Sequence, residues 1–292
     1  RPIDPMLAPL ADNGGLTKTH ALLSGSPAID MGDPSVTFEQ MDFDQRGGPF
    51  VRVATVGGVS DRIDLGAYER QTITDSLLPF VVDSPTDVID GDYSLGNLSF
   101  REAVAIANGS VGADAISFDS GVFGNPRVID LENGEIVIAD DLEILGPGQD
   151  LLSLDAEAKS RIFSITPSAG DVSISHLTLT GGRATSESPN DNHGGAIRAL
   201  GNGLLTIDHA IIQENSATGI NASGGAVYSL QNVFIAHSQF QVNSALSGRG
   251  GAVFVSGGEL TVENSNFTGN AANHGGAISV EAGAVISNSE IV

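Results

Sequence analysis

Cysteine and tryptophan are absent from this 292-residue chain, and lysine occurs only at Lys18 and Lys159. Without cysteine there is no disulfide, no thiol nucleophile and no thiolate metal ligand. With 13 basic against 36 acidic residues the formal net charge is −23, so little is available to neutralise phosphates and no nucleic-acid partner is expected. No apolar run approaches the roughly 18 residues of a membrane span. Three tyrosines and no tryptophan leave few flat rings on which a sugar could stack. The acidic balance reads as a solvated, extracellular type of surface, or as one that gathers divalent cations.

What is abundant is glycine, at 37 residues, and it is placed in a pattern. Gly-Gly-Ala followed by Ile or Val occurs at Gly194–Ile197, Gly224–Val227, Gly250–Val253 and Gly275–Ile278. The pairs Gly194/Gly195, Gly224/Gly225, Gly250/Gly251 and Gly275/Gly276 mark corners that need positive φ or close backbone approach. Between them runs a second signature, apolar-x-x-Asn, ending at Asn215, Asn243 and Asn270, with Gly182 in the earliest place. Upstream of each anchor lie two apolar residues spaced by two, such as Leu205 and Ile207, which is strand periodicity.

Three residues before each anchor stand His176, His209, His237, Asn264 and Asn288. Their gaps of 33, 28, 27 and 24 residues become nearly constant, 22, 20, 21 and 20, once the stretches 183–193, 216–223, 244–249 and 271–274 are set aside. A coil of about 20 residues therefore carries one loop that shortens along the axis. Such a unit cannot bury its apolar side alone. Stacking in register, with strands roughly 4.8 Å apart, buries a continuous column. The pattern predicts an all-β fold, a right-handed parallel β-helix, with the Asn amides bonding one another and the turn backbone.

Three regions follow. Residues 1–70 form a smaller irregular β-rich segment, with strand-like runs at Val51–Val56 and Asp61–Ala67 and a short helix over Thr19–Leu23. Residues 71–84 are a linker leading into a strand, Leu78–Val82. Residues 85–292 are the β-helix, with coils over 127–292 whose first strands are Arg127–Leu131, Glu135–Ile138, Leu142–Leu145 and Arg161–Ile165. Ser99 and Glu102 read as a capping box for a helix within 99–108, placed to lid the first coil. Arg1 at the start and a strand cut at Val292 read as a segment of a longer protein.

Leu98-Ser-Phe-Arg-Glu-Ala103, followed by Ile106-Ala-Asn108 and Ala113-Asp-Ala-Ile-Ser-Phe118, resembles the CSLREA-type opening of bacterial surface β-helix proteins, with Leu98 in place of the cysteine. The Gly-Gly-Ala-Ile and Phe-x-x-Asn pairs resemble the repeats of polymorphic outer membrane proteins. Residues 4–69, through Gly25-Ser-Pro-Ala-Ile-Asp30, Asp44-Gln-Arg-Gly47 and Asp64-Leu-Gly-Ala-Tyr-Glu69, resemble the closing segment of choice-of-anchor Q proteins. A closing segment ahead of an opening one implies tandem β-helix units in one chain. The resemblance implies secretion or surface display, adhesive or autotransporter-like duty, neighbouring units of the same chain as partners, and no defined reaction.

The chemical candidates are few. The stacked His176, His209 and His237 offer a transition-metal stripe, but Asn264 and Asn288 continue the row, so a polar turn ladder is the expected role. Three imidazolium charges in that row would repel, which predicts weaker stability near about pH 5. Asp87, Asp90 and Asp92 around Gly91 could ring a calcium ion, as could Asp30 with Asp33 or Asp42 with Asp44. Turn formation by Asp-Gly is the competing reading. His193 and His274, three coils apart, are expected to be separate polar loop ends. A polysaccharide lyase or glycoside hydrolase is the rival function. Arg183, Arg198, Arg249, Asp208, Glu214 and Glu263 assemble neither a carboxylate pair nor a cation with calcium ligands on one face. The expected function is structural or adhesive, without catalysis or cofactor other than such calcium, toward a glycan or protein met by the tapering loops.

Overall fold

The computed structural model describes residues 79–292 apart from Ser94, Val111 and 186–190, and short stretches at 5–7, 10, 17–20, 22, 26–28, 31–32, 43–46 and 63–67. It is a parallel β-solenoid of about six turns. Its strands stack into four parallel sheets of eight, seven, six and four members. One coil shows the route: Leu204–Asp208 lies in the eight-stranded face, Ile211–Gln213 in the seven-stranded, Ser216–Thr218 in the four-stranded and Val227–Ser229 in the six-stranded.

The apolar spacing sets the register. Leu205 pairs with Val172 and Val233, and Ile207 with Ile174 and Ile235. Ile212 pairs with Leu179 and Phe240, and Phe240 in turn with Phe267. These residues are fully buried or nearly so, and the Phe240 and Phe267 rings stack at 4.7 Å. Each inward residue thus lies on its counterpart one rung away, and the core is a set of columns.

The two glycines of each corner have different reasons. Gly194, Gly224, Gly250 and Gly275 hold φ between 60° and 65°, where a side chain is strained. The second glycine is needed for space: a Cβ on Gly195, Gly225 or Gly251 would lie 2.3, 2.0 or 2.1 Å from the carbonyl oxygen of the matching glycine one coil on.

The tapering stretches are not free loops. Each begins as a strand of the four-stranded face, at Arg183–Thr185, Ser216–Thr218, Ser244–Arg249 and Ala271–His274. Small residues there leave room for a second, minor core of Ala217, Ala222 and Ala245. The sequence reading missed this row because alternation of alanine with serine and threonine carries almost no hydropathy contrast.

The lid lies over the first coils. Helix Phe100–Ala107 starts on Ser99, whose hydroxyl accepts the Glu102 N–H at 3.2 Å while Glu102 accepts the Ser99 N–H. The fully buried Phe100 ring meets Phe118 at 5.6 Å and Phe163, edge-on, at 6.1 Å, closing the open end of the core. The stack begins earlier than residue 127, because Pro79–Val82 and Asp114–Phe118 already pair in the eight-stranded face. Leu78 and the run Val51–Val56 lie outside the described residues, as do Asp61 and Arg62. Ile63–Ala67 form no strand, and Thr19–Leu23 is not a helix where described: Leu22 instead bridges Leu7 in antiparallel fashion.

Asp114 opens the second strand of the stack, near this lid, and its Oδ2 is buried without a partner among the described residues. Burial, reinforced by the charge of Asp140 and only partly offset by a Ser110 hydrogen bond, raises its pKa to about 7. In the unfolded chain an aspartate titrates near about 4. Between about pH 4 and 7 the folded state keeps a proton that the unfolded state has lost, so stability falls as pH rises through this window. Asp114→Asn is expected to flatten that decline and to be more stable than the parent by about 2 kcal/mol at alkaline pH. Urea midpoints measured across the window check this; parallel pH profiles would refute it.

Candidate functional site

An open groove of about 450 Å³ lies along the Gly-Gly corners. Part of its floor comes from Tyr228 and Phe254, the residues that follow the second and third Gly-Gly-Ala-Val. Strand pairing puts Arg198, Tyr228, Phe254 and Ser279 in one column on the six-stranded face. The preceding Ile197, Val227 and Val253 are fully buried, so alternation turns this column outward. Its walls include Asn221, Ser247 and Asn273 from the tapering segments.

Rings stack in series along the floor, so that their edges rather than their faces meet the groove, and Phe254 is buried. His193 stacks on Tyr228 at 4.5 Å and 14°, and Tyr228 meets Phe254 at 5.8 Å. The His193 Nδ1 accepts the Ser223 N–H at 3.0 Å, which fixes the imidazole. The buried Arg161 braces the same corner, donating to the carbonyls of Asp191, His193 and Gly194. Arg249 lies over Phe254, 5.9 Å from the ring centroid, and pairs with Glu281 at 2.8 Å. The other Glu281 oxygen accepts from Ser256 at 3.0 Å. Burial pushes the Tyr228 phenol above its ordinary pKa; a hydrogen bond with Ser256 opposes this and the Glu281 charge adds to it. Tyr228 therefore presents a neutral ring and hydroxyl.

No known family, curated protein or solved structure matches this chain.

The structure brings His193 and His274, taken from the sequence as independent, to one groove. Each coil adds about 5 Å, so the two imidazoles line distant parts of that groove, as their spacing of three coils implies. The composition gave no hint that the few rings present would gather in one place. His193, Tyr228 and Phe254 sit one rung apart, and the signal was the residue after each Gly-Gly-Ala-Ile/Val.

The histidine row sits at the turn between the eight- and seven-stranded faces. His176, His209, His237, Asn264 and Asn288 all hold φ between 47° and 56°, which a local polar side chain tolerates best. The His176–His209 and His209–His237 rings stack at 4.8 and 4.6 Å. Asp208 joins them, its Oδ1 lying 2.9 Å from His209 Nδ1 and 3.0 Å from His237 Nδ1. Burial alone would raise the Asp208 pKa, but hydrogen bonds from His237 and His209 and their charges outweigh it and hold it below the usual value. The repulsion expected among stacked imidazolium charges thus meets a carboxylate that the row itself did not contain. Glu214 lies beyond the far end of Ile211–Gln213 from Asp208, so those two acids do not form a pair.

The asparagines form a continuous ladder. Asn243 Oδ1 accepts both the backbone and side-chain N–H of Asn215 at 3.0 Å, and Asn270 Oδ1 does the same for Asn243. Asn215 Oδ1 caps the column by accepting Gly182 N–H at 2.7 Å. A second ladder escaped the sequence reading: Ser238, Ser265 and Ser289 each accept the N–H one rung before, from Ala210, Ser238 and Ser265.

The carboxylates considered for calcium have other employment. Asp87 is held by Arg101 through both oxygens, at 2.6 and 3.0 Å, and accepts Asn133 N–H. Asp90 Oδ1 accepts Asp92 N–H, and the Asp90-Gly91 backbone donates to Glu102. The turn is therefore organised by the helix cap. Asp44 is likewise engaged, its oxygens bound by Arg46 in a buried pair, while Asp30, Asp33 and Asp42 lie outside the described residues.

Proposed function

We propose that this chain is a non-catalytic segment of a secreted or cell-surface protein, in which the solenoid is a rigid scaffold and the corner groove is an adhesive face for a glycan. The observation that carries this reading is the ring series His193–Tyr228–Phe254 on the groove floor. The half-buried edges of His193 and Tyr228 offer apolar contact to a pyranose, while Arg249, His274 and Glu281 offer hydrogen bonds to its hydroxyls. Export and surface placement rest on the resemblance of the opening and repeat motifs; no helix among the described residues is long and apolar enough to cross a membrane.

Glycoside hydrolysis needs two carboxyl groups about 5–10 Å apart. Among the described residues Glu281 is the only carboxylate lining the groove, and Arg249 is paired with it. The same pairing takes from Arg249 the free cationic role a lyase would give it. Glycan-array screening followed by calorimetry tests the proposal. Tyr228→Ala is expected to weaken the captured glycan by about tenfold or more. Equal binding by parent and variant would overturn the site. Release of unsaturated uronate by the parent, with or without calcium, would overturn the non-catalytic assignment.

A further inference from the structure

The turn beside the histidine row holds a ligand set that the groove does not use. Asp208, His209 and His237 each offer one ligand atom, and all three atoms lie within 4.8 Å of one another. Two of the separations, 2.9 and 3.0 Å from Asp208 Oδ1 to the two Nδ1 atoms, are close to the ~3.3 Å edge of a tetrahedron with metal bonds of about 2.0 Å. We propose that Asp208, His209 and His237 form a surface site for one divalent transition-metal ion of the zinc and copper class.

The backbone supports the geometry. His209 and His237 are rooted at φ 48° and 47°, and their N–H groups donate to Ala236 O and Glu263 O on the following coil. The ring roots are therefore fixed, and only small side-chain rotations close the set around an ion. Binding is a proton exchange. Each imidazole coordinates as a neutral ring through Nδ1 with its proton on Nε2, and any second proton leaves to solvent. One carboxylate and two imidazoles suit zinc or copper; magnesium and calcium favour all-oxygen sites. Half of each imidazole is exposed, which leaves room for water at the remaining position.

The set occurs once in the column. At the position of Asp208 the neighbouring rungs carry Ser175 and Ala236, which offer no carboxylate. Glu263 follows one rung further, but beside Asn264. On the other side, where Ser175 replaces the acid, His176 Nδ1 is buried and meets no partner among the described residues. A ladder held by ring stacking alone does not need one carboxylate oxygen shared between two ring nitrogens.

Calorimetric titration of the whole, chelator-stripped chain with zinc chloride near neutral pH tests the site. One zinc per chain is expected, with calcium and magnesium silent at the same concentration. His237→Asn, which inserts the residue type used in the next two rungs, and Asp208→Asn should each weaken zinc by about tenfold or more. His193→Asn, in the groove, should leave the affinity unchanged. Cobalt absorption bands of tetrahedral type, lost in His237→Asn, provide a second readout. No saturable binding below about 1 mM zinc, or equal affinity in the parent and both variants, would overturn the site. Several weak sites insensitive to the substitutions would do the same, marking the acidic surface as the binder.

Discussion

Gly225→Ala is expected to destabilise the solenoid by about 3 kcal/mol, while Gly276→Ala leaves it almost unchanged. Both are the second glycine of a corner, and the sequence does not distinguish them. At Gly225 an added Cβ would lie 2.0 Å from Gly251 O and 2.5 Å from Ser244 N, both backbone atoms of the next coil. Backbone cannot rotate aside as a side chain does, so the two coils must separate. That strains the bonds crossing the same corner, including Gly225 N–H to Gly250 O at 3.1 Å and Ala226 N–H to Ala252 O at 2.9 Å. At Gly276 the nearest atom to an added Cβ is Asn270 O at 3.7 Å, ordinary contact. Denaturant midpoints of the two alanine variants separate the cases. Equal shifts would mean that coil approach is not what the second glycine provides.

Arg101→Ala is expected to cost about 3–5 kcal/mol, because it strands a buried carboxylate. Arg101 holds Asp87, whose side chain is only 2% exposed, and also donates to Gly134 O at 2.6 Å and Glu135 O at 3.0 Å. Three segments meet at this guanidinium: the Asp87 turn, the lid helix and the corner before Ile136–Ile138. Losing it leaves a charge and two carbonyls without their donor. Removing both charges, as Arg101→Met with Asp87→Leu, should recover most of the loss, since well-packed apolar replacement of a buried pair is often neutral. If Arg101→Ala melts with the parent, or the double variant is no better than the single, the pair does not anchor the lid.

Much of the scaffold was legible because its signals are periodic. Leu205 and Ile207, or the glycine pair before Ala226, recur at fixed offsets from one Asn, so one unit could be checked against the next. Features made by partners from different coils were not legible in the same way. Asp208 looks ordinary beside His209, and only strand register brings His237 to it. Tyr228 and Phe254 occupy one offset, yet only strand register shows that their rings meet each other and His193. The Ser238–Ser265–Ser289 ladder fails to announce itself because Leu177 and Ala210 fill the same place earlier. Arg101 and Asp87 sit outside any repeat, so nothing in spacing could pair them.

The four-stranded flank has a practical consequence. Its segments shorten from one coil to the next while the other three faces keep their register, so length added there does not propagate into the core columns. Grafting a foreign peptide after Thr218, past the paired strand and before the Gly224 corner, should leave the rest of the tube unaltered. The same graft inside Val227–Ser229 would break it. Evolution and protein engineers therefore have, on this flank, a side of the molecule on which to write.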